Sequence, residues 1–352
     1  MIEIKRSVLE LPAYEVPQRA MIKLNQNESP YDIPVEYKQE ILERVKNAAW
    51  NRYPAGNTIA LKKALSCYTE CPYQNIITGN GSNELILSVM FAVCDKGDSI
   101  TLVTPGFAIY SYCARIMNLR ITEIPLNHDF SFNARALYEQ ARKTKLICFA
   151  SPNNPTGTTI EISAIEEIVK LNKCLVVVDE AYFEFHRVSA QRLVEKYKNI
   201  LILRTFSKAF SFAGLRLGYL IGHREEVGQI EKAKLPFSVG IFQQVAGEFL
   251  LGKRKFVLKT VNAIIKERNT MMAMMDTIPS INAIPSHANF ILFTLKKHNA
   301  SEIFQALYKK GILVRKFNHP SLDNKLRVTI GKPEENRFFL KSLKKSLEVS
   351  NA

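Results

Sequence analysis

The sequence has no long apolar run and no segment that resembles a targeting signal. Among its 352 residues no apolar stretch approaches the roughly 18 residues needed to cross a membrane. The first residues carry no apolar stretch of signal-peptide length. Repeats, low-complexity segments and Gly/Ser-rich linkers are also absent from the sequence. We therefore expect a cytoplasmic protein with no membrane partner.

Cysteine is scarce, with six scattered residues. Cys67 and Cys71 have the spacing of half a metal site, but no second pair accompanies them. Cys148 and Cys174 lie within apolar runs, which is typical of buried thiols. We predict no disulfides and no bound metal.

Acidic residues are the minority among the charges, with 33 Asp and Glu against 48 Lys and Arg, so the formal net charge is +15. A clustered basic face would bind nucleic acid, but the lysine clusters of the last third are small and lie among helical apolar residues. These clusters are Lys296-Lys297, Lys309-Lys310 and Lys341-Lys344-Lys345. We interpret them as solvated helix faces and expect no nucleic-acid partner. The positive field favours anionic small molecules.

Short apolar runs alternate with helical periodicity from about residue 35. The predicted strands are Ser99 to Val103, Leu146 to Ala150, Leu175 to Val178 and Ile200 to Leu203. The predicted helices are 35–47, 59–69, Leu85 to Val93 and Ile160 to Leu171. Buried strands that alternate with helices indicate an α/β fold with a mostly parallel sheet.

The pattern changes at Leu235-Pro236. A long amphipathic stretch from about Phe242 to Met275 predicts a connecting helix, and strand-like runs follow near residues 289–293, 312–314 and 326–330. We therefore predict an N-terminal arm over 1–34, a large domain over 35–235 and a smaller α+β domain over 236–352. The cleft between the domains is the expected ligand site.

Lys208 is the most informative residue for function. It follows the apolar run Ile200 to Leu203 and the hydroxyl residues Thr205 and Ser207, and it precedes Arg216 in a glycine-rich loop. A desolvated lysine with hydroxyl groups and an arginine nearby suits pyridoxal phosphate, because a neutral amine can form a Schiff base while the other groups bind the phosphate. Short motifs also match by chance, so other segments must support this hypothesis.

Three further segments end predicted strands or open a helix. Asp179 ends the run Val176 to Val178, where it could pair with the pyridine nitrogen of the cofactor, or instead cap a helix or bind magnesium. An amide of the Asn153-Asn154 pair could bind the phenolic oxygen. Gly79 to Asn83 opens a helix whose backbone amides suit a phosphate. Tyr110 is a candidate stacking platform for the ring, or a plain core tyrosine.

These segments together resemble the fold-type I pyridoxal-phosphate aminotransferases, and among them the histidinol-phosphate aminotransferase family. The resemblance spans nearly the whole chain. The matching segments are Leu24 to Pro30, Arg52-Tyr53-Pro54, Gly79 to Glu84, Asn153 to Gly157, Asp179 to Tyr182, Thr205 to Gly218 and Arg327 to Gly331. Two positions depart from the family pattern: Asn83 replaces an acidic residue, and Asp32 replaces a glycine.

The resemblance implies a role for each site residue. Lys208 would be the Schiff-base lysine and proton shuttle, and Asp179 would pair with the pyridine nitrogen. Asn154 and Tyr182 would contact the phenolic oxygen. The phosphate would be held by Thr205, Ser207, Arg216 and the backbone of Ser82 and Asn83, and by Tyr53 of the second subunit of a homodimer. The substrate anion would be bound by Arg327, Arg315 and Tyr14.

The implied reaction is transamination between L-histidinol phosphate and 2-oxoglutarate. Neighbouring families with the same cofactor site leave two alternatives, threonine-phosphate decarboxylation and aromatic amino acid transamination. A cofactor-binding regulator of transcription is a third, but the chain has no spare length for a DNA-binding module.

Overall fold

The computed structural model describes residues 2–11 and 20–349, which form two main β-sheets with helices around them. The strands are β1 Ile22–Lys23, β2 Ile76–Gly79, β3 Ser99–Thr104, β4 Arg120–Pro125, β5 Leu146–Ala150, β6 Leu175–Asp179, β7 Ile200–Thr205, β8 Gly218–Ile221, β9 Ile281–Ala283, β10 Phe290–Leu295, β11 Ile312–Leu313, β12 Arg315–Lys316 and β13 Lys325–Thr329. The helices are α1 Arg6–Leu9, α2 Val35–Lys46, α3 Ile59–Thr69, α4 Gly81–Val93, α5 Ala108–Ile116, α6 Ala134–Gln140, α7 Ile162–Lys170, α8 Phe183–His186, α9 Arg224–Ala233, α10 Ile241–Leu251, α11 Arg254–Asp276, α12 Ala300–Lys309 and α13 Pro333–Val349.

The larger sheet has seven strands in the order β2-β8-β7-β6-β5-β3-β4. The adjacent strands β4, β3, β5, β6 and β7 are all parallel to one another. Only β8 is antiparallel to both of its neighbours, β2 and β7. The predicted mostly parallel α/β sheet is therefore confirmed. The strands β2, β4 and β8 were not predicted: β4 is a half-exposed edge strand with alternating polar residues, and β2 and β8 are only four residues long.

Both faces of this sheet are buried, which explains why its strands read as continuous apolar runs. Alternate residues of one strand point to opposite faces. In β5, Ile147 and Phe149 join the core that continues towards the second sheet, while Leu146 and Cys148 join a core on the other face beneath α4, α5 and α9.

The second sheet has four antiparallel strands in the order β12-β13-β10-β9. The short strand β1 pairs in parallel with β11. The chain directly after β1 continues along β13, where the Thr329 N–H donates to the Leu24 carbonyl at 2.9 Å. The N-terminal segment is thereby fixed beside the second sheet.

The single connecting helix predicted over Phe242 to Met275 is wrong. The structure has two helices there, α10 and α11, separated at Gly252-Lys253. The N–H groups of Gly252 and Lys253 donate to the carbonyls of Phe249 and Leu250, three residues earlier, so the last turn of α10 tightens and the helix ends. The apolar periodicity continues through this turn, and therefore did not reveal it.

No helix within the described residues is both long enough and apolar enough to span a membrane. The six cysteines are free, and four of them are buried.

Candidate active site

The candidate site lies where parallel strands of the larger sheet end. Strands β5, β6 and β7 run in the same direction, so the loops after Ala150, Asp179 and Thr205 leave the sheet at one edge. Ligands of open α/β sheets bind at this edge because it collects loop residues from several strands.

Lys208 is partly buried and points inward. Its Nζ donates a hydrogen bond to the carbonyl of Gln26 at 2.8 Å. Burial and then the positive charge of Arg327 lower the pKa of Lys208 to about 8, and the carboxylates of Glu28 and Asp179 limit the fall. A pKa near 8 leaves a useful fraction of the amine neutral at physiological pH, as a nucleophile requires.

Asp179 ends β6 as a buried carboxyl group, only 2 % exposed. Its Oδ2 accepts a hydrogen bond from the Tyr110 hydroxyl at 2.7 Å, and its Oδ1 accepts one from the backbone N–H of Ala181 at 3.0 Å. Burial raises the pKa of Asp179 to about 6, although both hydrogen bonds and the charge of Lys208 lower it. Lys208 and Asp179 therefore lie close enough to shift each other's pKa.

Tyr110 is 2 % exposed and packs edge-on against Phe107. The sequence left this tyrosine as either a ring-stacking platform or a plain core residue, and the structure adds the hydrogen bond to Asp179. The hydrogen bond holds one oxygen of the carboxylate in place.

The hydroxyl groups at the end of β7 and just after it form a polar cluster with Arg216. The Thr205 hydroxyl donates to Ser207 Oγ at 3.0 Å, and the backbone N–H of Ser207 donates to Thr205 Oγ1 at 3.1 Å. Arg216 Nη1 donates to Ser207 Oγ at 3.2 Å and to the Ala213 carbonyl at 3.0 Å. This cluster combines neutral donors with one guanidinium group, which is the chemistry of a phosphate site.

The N-terminus of α4 adjoins this cluster. A Cβ atom on Gly81 would lie 2.5 Å from Arg216 Nη2, and one on Gly218 would lie 2.5 Å from the backbone nitrogen of Ser82. Glycine at these positions therefore allows β8, α4 and Arg216 to approach one another. The first-turn N–H groups of α4, which include those of Ser82 and Asn83, have no partner within the helix, so they suit an anion.

The second sheet contributes two arginines. Arg327 on β13 donates to the Asn154 side-chain oxygen and to the Asn25 carbonyl, the latter at 2.7 Å. Arg315 lies directly opposite Arg327 across the β12–β13 pair. Both guanidinium groups lie over the ring of Phe317, with ring-centroid distances of 5.9 Å for Arg315 and 5.6 Å for Arg327. The structure thus brings Asn154 together with Arg327 and places a second cation beside them.

Tyr182 is buried three residues after Asp179 and packs edge-on against Phe290 of the second sheet. Its hydroxyl accepts a hydrogen bond from Asn27 Nδ2 at 2.8 Å. Burial raises the pKa of Tyr182 to about 12, and the charge of Arg327 and the hydrogen bond from Asn27 oppose the rise.

Tyr53, which was named from the sequence, is not part of this cluster. Tyr53 is 82 % exposed and stacks on Phe237 with ring centroids 4.7 Å apart. Tyr14 lies outside the described residues.

Sequence reasoning missed the roles of Gln26 and Asn27, although it used the segment that contains them. The carbonyl of Gln26 binds Lys208, and Asn27 binds Tyr182. It also missed the buried ion pair between Glu180 and Arg204, with Nη2 and Oε2 2.9 Å apart, which joins the ends of β6 and β7 beside the site. The available signal was the charged residue Arg204 at the end of an apolar strand, because a buried charge needs a partner of opposite charge.

Comparison with known proteins identifies relatives over nearly the whole chain. Residues 19–343 match the family described as aminotransferase class I and II. A histidinol-phosphate aminotransferase of Prosthecochloris aestuarii is 34% identical over 343 residues, which cover 96% of each chain. One of Thermococcus gammatolerans is 38% identical over 324 residues, which cover 92% of this chain and 91% of the relative.

Solved structures show the same fold. The histidinol-phosphate aminotransferase of Clostridium acetobutylicum superposes with a TM-score of 0.87 at 25% identity and covers 94% of this chain and 99% of its own. The Sinorhizobium meliloti enzyme of that name, solved in complex with pyridoxal-5′-phosphate, superposes with a TM-score of 0.90 at 20% identity, covering 99% and 98% of the two chains.

Proposed function

The chain belongs to the class I and II aminotransferases, and we propose that it transfers the amino group of L-histidinol phosphate to 2-oxoglutarate, forming imidazole acetol phosphate and glutamate. The enzyme uses pyridoxal 5′-phosphate, the cofactor of the family. The observation that supports this proposal most is the meeting of Lys208, Asp179 and the Ser207–Arg216 cluster at one sheet edge, with Arg327 facing them. The relatives' names supply the substrate.

The residues at the site fit this cofactor. Asp179 is a buried carboxyl group for which the described part of the chain offers no ion-pair partner, so a pyridinium nitrogen would supply one. Gly81 and Gly218 keep open a cradle between Arg216 and the start of α4 that a Cβ atom would fill. Lys208 has an amine that burial makes easier to deprotonate.

We assign the cofactor contacts from these positions. Asp179 would hold the pyridine nitrogen, with Tyr110 fixing the carboxylate, and Asn154 and Tyr182 would contact the phenolic oxygen. The phosphate would be held by Thr205, Ser207, Arg216 and the backbone N–H groups of Ser82 and Asn83. When bound, the cofactor supplies an electron sink for the charge that develops at the substrate's α-carbon.

Lys208 has two tasks in this scheme. Its neutral Nζ would attach the cofactor covalently, and would then no longer donate to the carbonyl of Gln26 that it contacts here. As a free amine it would remove the proton from the α-carbon of histidinol phosphate, and it would return a proton to the α-carbon derived from 2-oxoglutarate in the second half-reaction. The lowered pKa of Lys208 serves both steps.

Arg327 and Arg315 would bind the anionic ends of the two substrates. Histidinol phosphate carries a phosphate and no carboxylate, whereas 2-oxoglutarate and glutamate carry carboxylates. A planar guanidinium group forms paired hydrogen bonds with either anion, so one arginine can serve both substrates. Two guanidinium groups side by side match the higher charge of a phosphate. Tyr14 would assist the phosphate.

We further propose a cytoplasmic homodimer with shared active sites. Tyr53 is the residue that would reach the phosphate in the partner's site, and its exposed ring is held by stacking on Phe237. Trp50, close to Tyr53, and Leu235, close to Phe237, are also apolar side chains that are 73% and 72% exposed, and a partner subunit would cover them. Within each subunit we propose the division into an arm over 1–34, a large domain over 35–235 and a small domain over 236–352.

A half-reaction screen tests the proposed function. The purified holoenzyme is mixed with one amine at a time, without a keto acid, and the absorbance of the bound cofactor is followed. Histidinol phosphate should convert the cofactor to its amino form fastest, and 2-oxoglutarate should then restore the original spectrum.

The same screen separates the alternatives. Release of carbon dioxide from threonine phosphate without any need for a keto acid would identify a decarboxylase. Faster conversion by phenylalanine or tyrosine than by histidinol phosphate would identify an aromatic aminotransferase. Either result would contradict the proposed substrate while leaving the family unchanged.

A further inference from the structure

Asn27 is a buried asparagine that joins the N-terminal segment to the site. It is 1 % exposed and has a left-handed backbone with φ of 55°. Its side-chain Nδ2 donates to the Tyr182 hydroxyl at 2.8 Å. Its carbonyl accepts from Asn289 Nδ2 at 3.0 Å, and its backbone N–H donates to Thr329 Oγ1 at 2.9 Å. Each of these backbone and side-chain groups is thus bonded inside the protein.

Thr329 determines which way the Asn27 amide faces. A threonine hydroxyl has one hydrogen, and Thr329 Oγ1 already accepts the N–H of Asn27. In the structure its own hydrogen is donated to Asn27 Oδ1, 3.1 Å away. With the amide oxygen bound to Thr329, the NH₂ group must face Tyr182.

This arrangement decides the direction of the Tyr182 hydroxyl hydrogen. Because Asn27 presents a donor, the tyrosine oxygen must accept, and its own hydrogen points elsewhere. Burial raises the pKa of Tyr182 to about 12, so the hydrogen is retained at neutral pH. Among residues 2–11 and 20–349, the bond from Asn27 is the only hydrogen bond at this hydroxyl, and no acceptor takes its hydrogen.

We propose that Asn27 is a positioning residue, oriented by Thr329, that makes the Tyr182 hydroxyl an obligatory hydrogen-bond donor to a ligand in the cleft. The ligand atom that it meets must be an acceptor, and a phenolate oxygen is a strong one. The identity of that ligand as the phenolic oxygen of pyridoxal phosphate rests on the proposed function. The hydrogen bonds that link Thr329, Asn27 and Tyr182 run from the second sheet to the loop after β6. Both sheets therefore help to orient the Tyr182 hydroxyl.

Two substitutions change the direction of the donor with little change in shape. Asn27→Asp replaces the amide by a carboxylate that can only accept, so the Tyr182 hydrogen turns towards it. Aspartate, like asparagine, tolerates the left-handed backbone. Thr329→Val removes the orienting hydroxyl, and Thr329→Ser keeps it.

The experiment measures the pH dependence of the bound-cofactor absorbance in the holoenzyme and, separately, the affinity of the apoenzyme for pyridoxal phosphate. Losing a charge-assisted hydrogen bond weakens affinity on the order of 10-fold to 100-fold. We expect Asn27→Asp to show this loss and an apparent pKa of the absorbance change that is higher by about 1 unit. Thr329→Val should show a smaller change in the same direction, and Thr329→Ser should behave as the unmodified protein.

A double substitution separates hydroxyl direction from plain electrostatics. The new charge of Asn27→Asp acts on the cofactor whether or not Tyr182 has a hydroxyl, whereas the proposed effect needs the hydroxyl. In a Tyr182→Phe protein, Asn27→Asp should therefore show only the part of the shift that its charge causes, which is smaller than the shift in the protein that keeps Tyr182. An equal shift and an equal loss of affinity in both proteins would overturn the proposal, as would equal behaviour of Thr329→Val and Thr329→Ser.

Failure of this inference is distinct from failure of the proposed function. If the unmodified protein does not bind pyridoxal phosphate, the proposed cofactor site is wrong. If it binds the cofactor and all Asn27 and Thr329 variants titrate like it, only the role of Asn27 is wrong. Thermal unfolding of each apoenzyme identifies variants that fail to fold, and the Thr329→Val and Thr329→Ser pair remains informative if Asn27→Asp does not fold.

Discussion

The two halves of the candidate site are held together in different ways. In the cofactor half, Thr205 and Ser207 are bonded across two residues of sequence, and Arg216 and Ser207 across nine. In the substrate half, Arg327 is bonded to Asn25 across 302 residues, and Lys208 to Gln26 across 182. The first half depends on short loops at strand ends, and the second depends on the second sheet lying against the N-terminal segment.

The difference separates cofactor binding from substrate binding in physical terms. The loops of the cofactor half are anchored by β6 and β7, whose residues are buried on both faces of the sheet. The substrate half is assembled by tertiary contacts between segments distant in sequence. Substitutions in the first half should therefore change cofactor affinity, and substitutions of the two arginines in the second half should change substrate constants at saturating cofactor.

Lys208→Ala should break both halves at once and have the largest effect. Without the amine neither the covalent attachment nor the proton transfer at the α-carbon can occur, and we expect kcat to fall by at least about 10⁴-fold. Stopped-flow absorbance and steady-state rates measure this. Lys170→Ala, at an exposed helix position, is the matched control. Activity within about tenfold of normal in Lys208→Ala would refute the assignment, because a positioned general base alone is worth at least about 10²-fold.

Arg327→Lys should break only the substrate half. A lysine keeps the charge but loses the planar fork, so kcat/KM should fall by roughly 10-fold to 100-fold for both histidinol phosphate and glutamate. Arg315→Lys should affect the phosphorylated substrate more than glutamate. Cofactor affinity, measured on the apoenzyme, should stay unchanged in both variants; a large loss there would mean that the two halves are not separable.

Asp179→Asn tests the electrostatics of the cofactor half in the apoenzyme. Because the pKa of Asp179 is raised to about 6 from 3.8, the folded state holds more protons than the unfolded state between these values, and its stability falls as pH rises through that window. The contribution amounts to at most about 3 kcal/mol at neutral pH. Asparagine does not titrate, so this pH-dependent term is absent from the variant. The free energy of unfolding of the variant, relative to that of the normal apoenzyme, should therefore rise between about pH 4 and 6. Chemical denaturation at several pH values measures this, and parallel curves would contradict the expectation.

Gly218→Ala should have the smallest effect on activity, and it tests whether the start of α4 belongs to the cofactor half. The added methyl group would lie 2.5 Å from the backbone nitrogen of Ser82 and would push the start of α4 away. Overpacking of this kind costs about 1–3 kcal/mol, and we expect weaker binding of pyridoxal phosphate with unchanged substrate KM at saturating cofactor. Gly214→Ala is the control, since its Cβ atom would meet nothing within 4 Å. Equal cofactor affinity in the two variants would argue against the cradle.

Much of the larger sheet could be predicted because its strands are encoded locally. The runs that become β5, β6 and β7 are apolar throughout, since both faces of a central parallel strand are buried. The loop residues directly after them, Asp179 and Lys208 among them, could be named for the same reason. The edge strand β4 has an exposed face and alternating polarity, so it lacks that signal.

The interruption at Gly252 and the contacts of Asn27 could not be predicted in this way. An apolar stripe continues through a one-turn break when both helices pack on the same core, as α10 and α11 do here. An asparagine in a loop has no periodicity that indicates its partner, and its bond to Tyr182 spans 155 residues.

The sequence alone determined that this chain forms a parallel α/β sheet with a lysine, an aspartate and a hydroxyl cluster at strand ends, because burial on both faces and loop chemistry are local properties. The tertiary structure decided which side chains complete the site: Arg327 and Thr329 from the second sheet, and Gln26 and Asn27 from the N-terminal segment. Hydrogen bonds between such distant segments depend on how the sheets pack, and packing is a property of the whole chain.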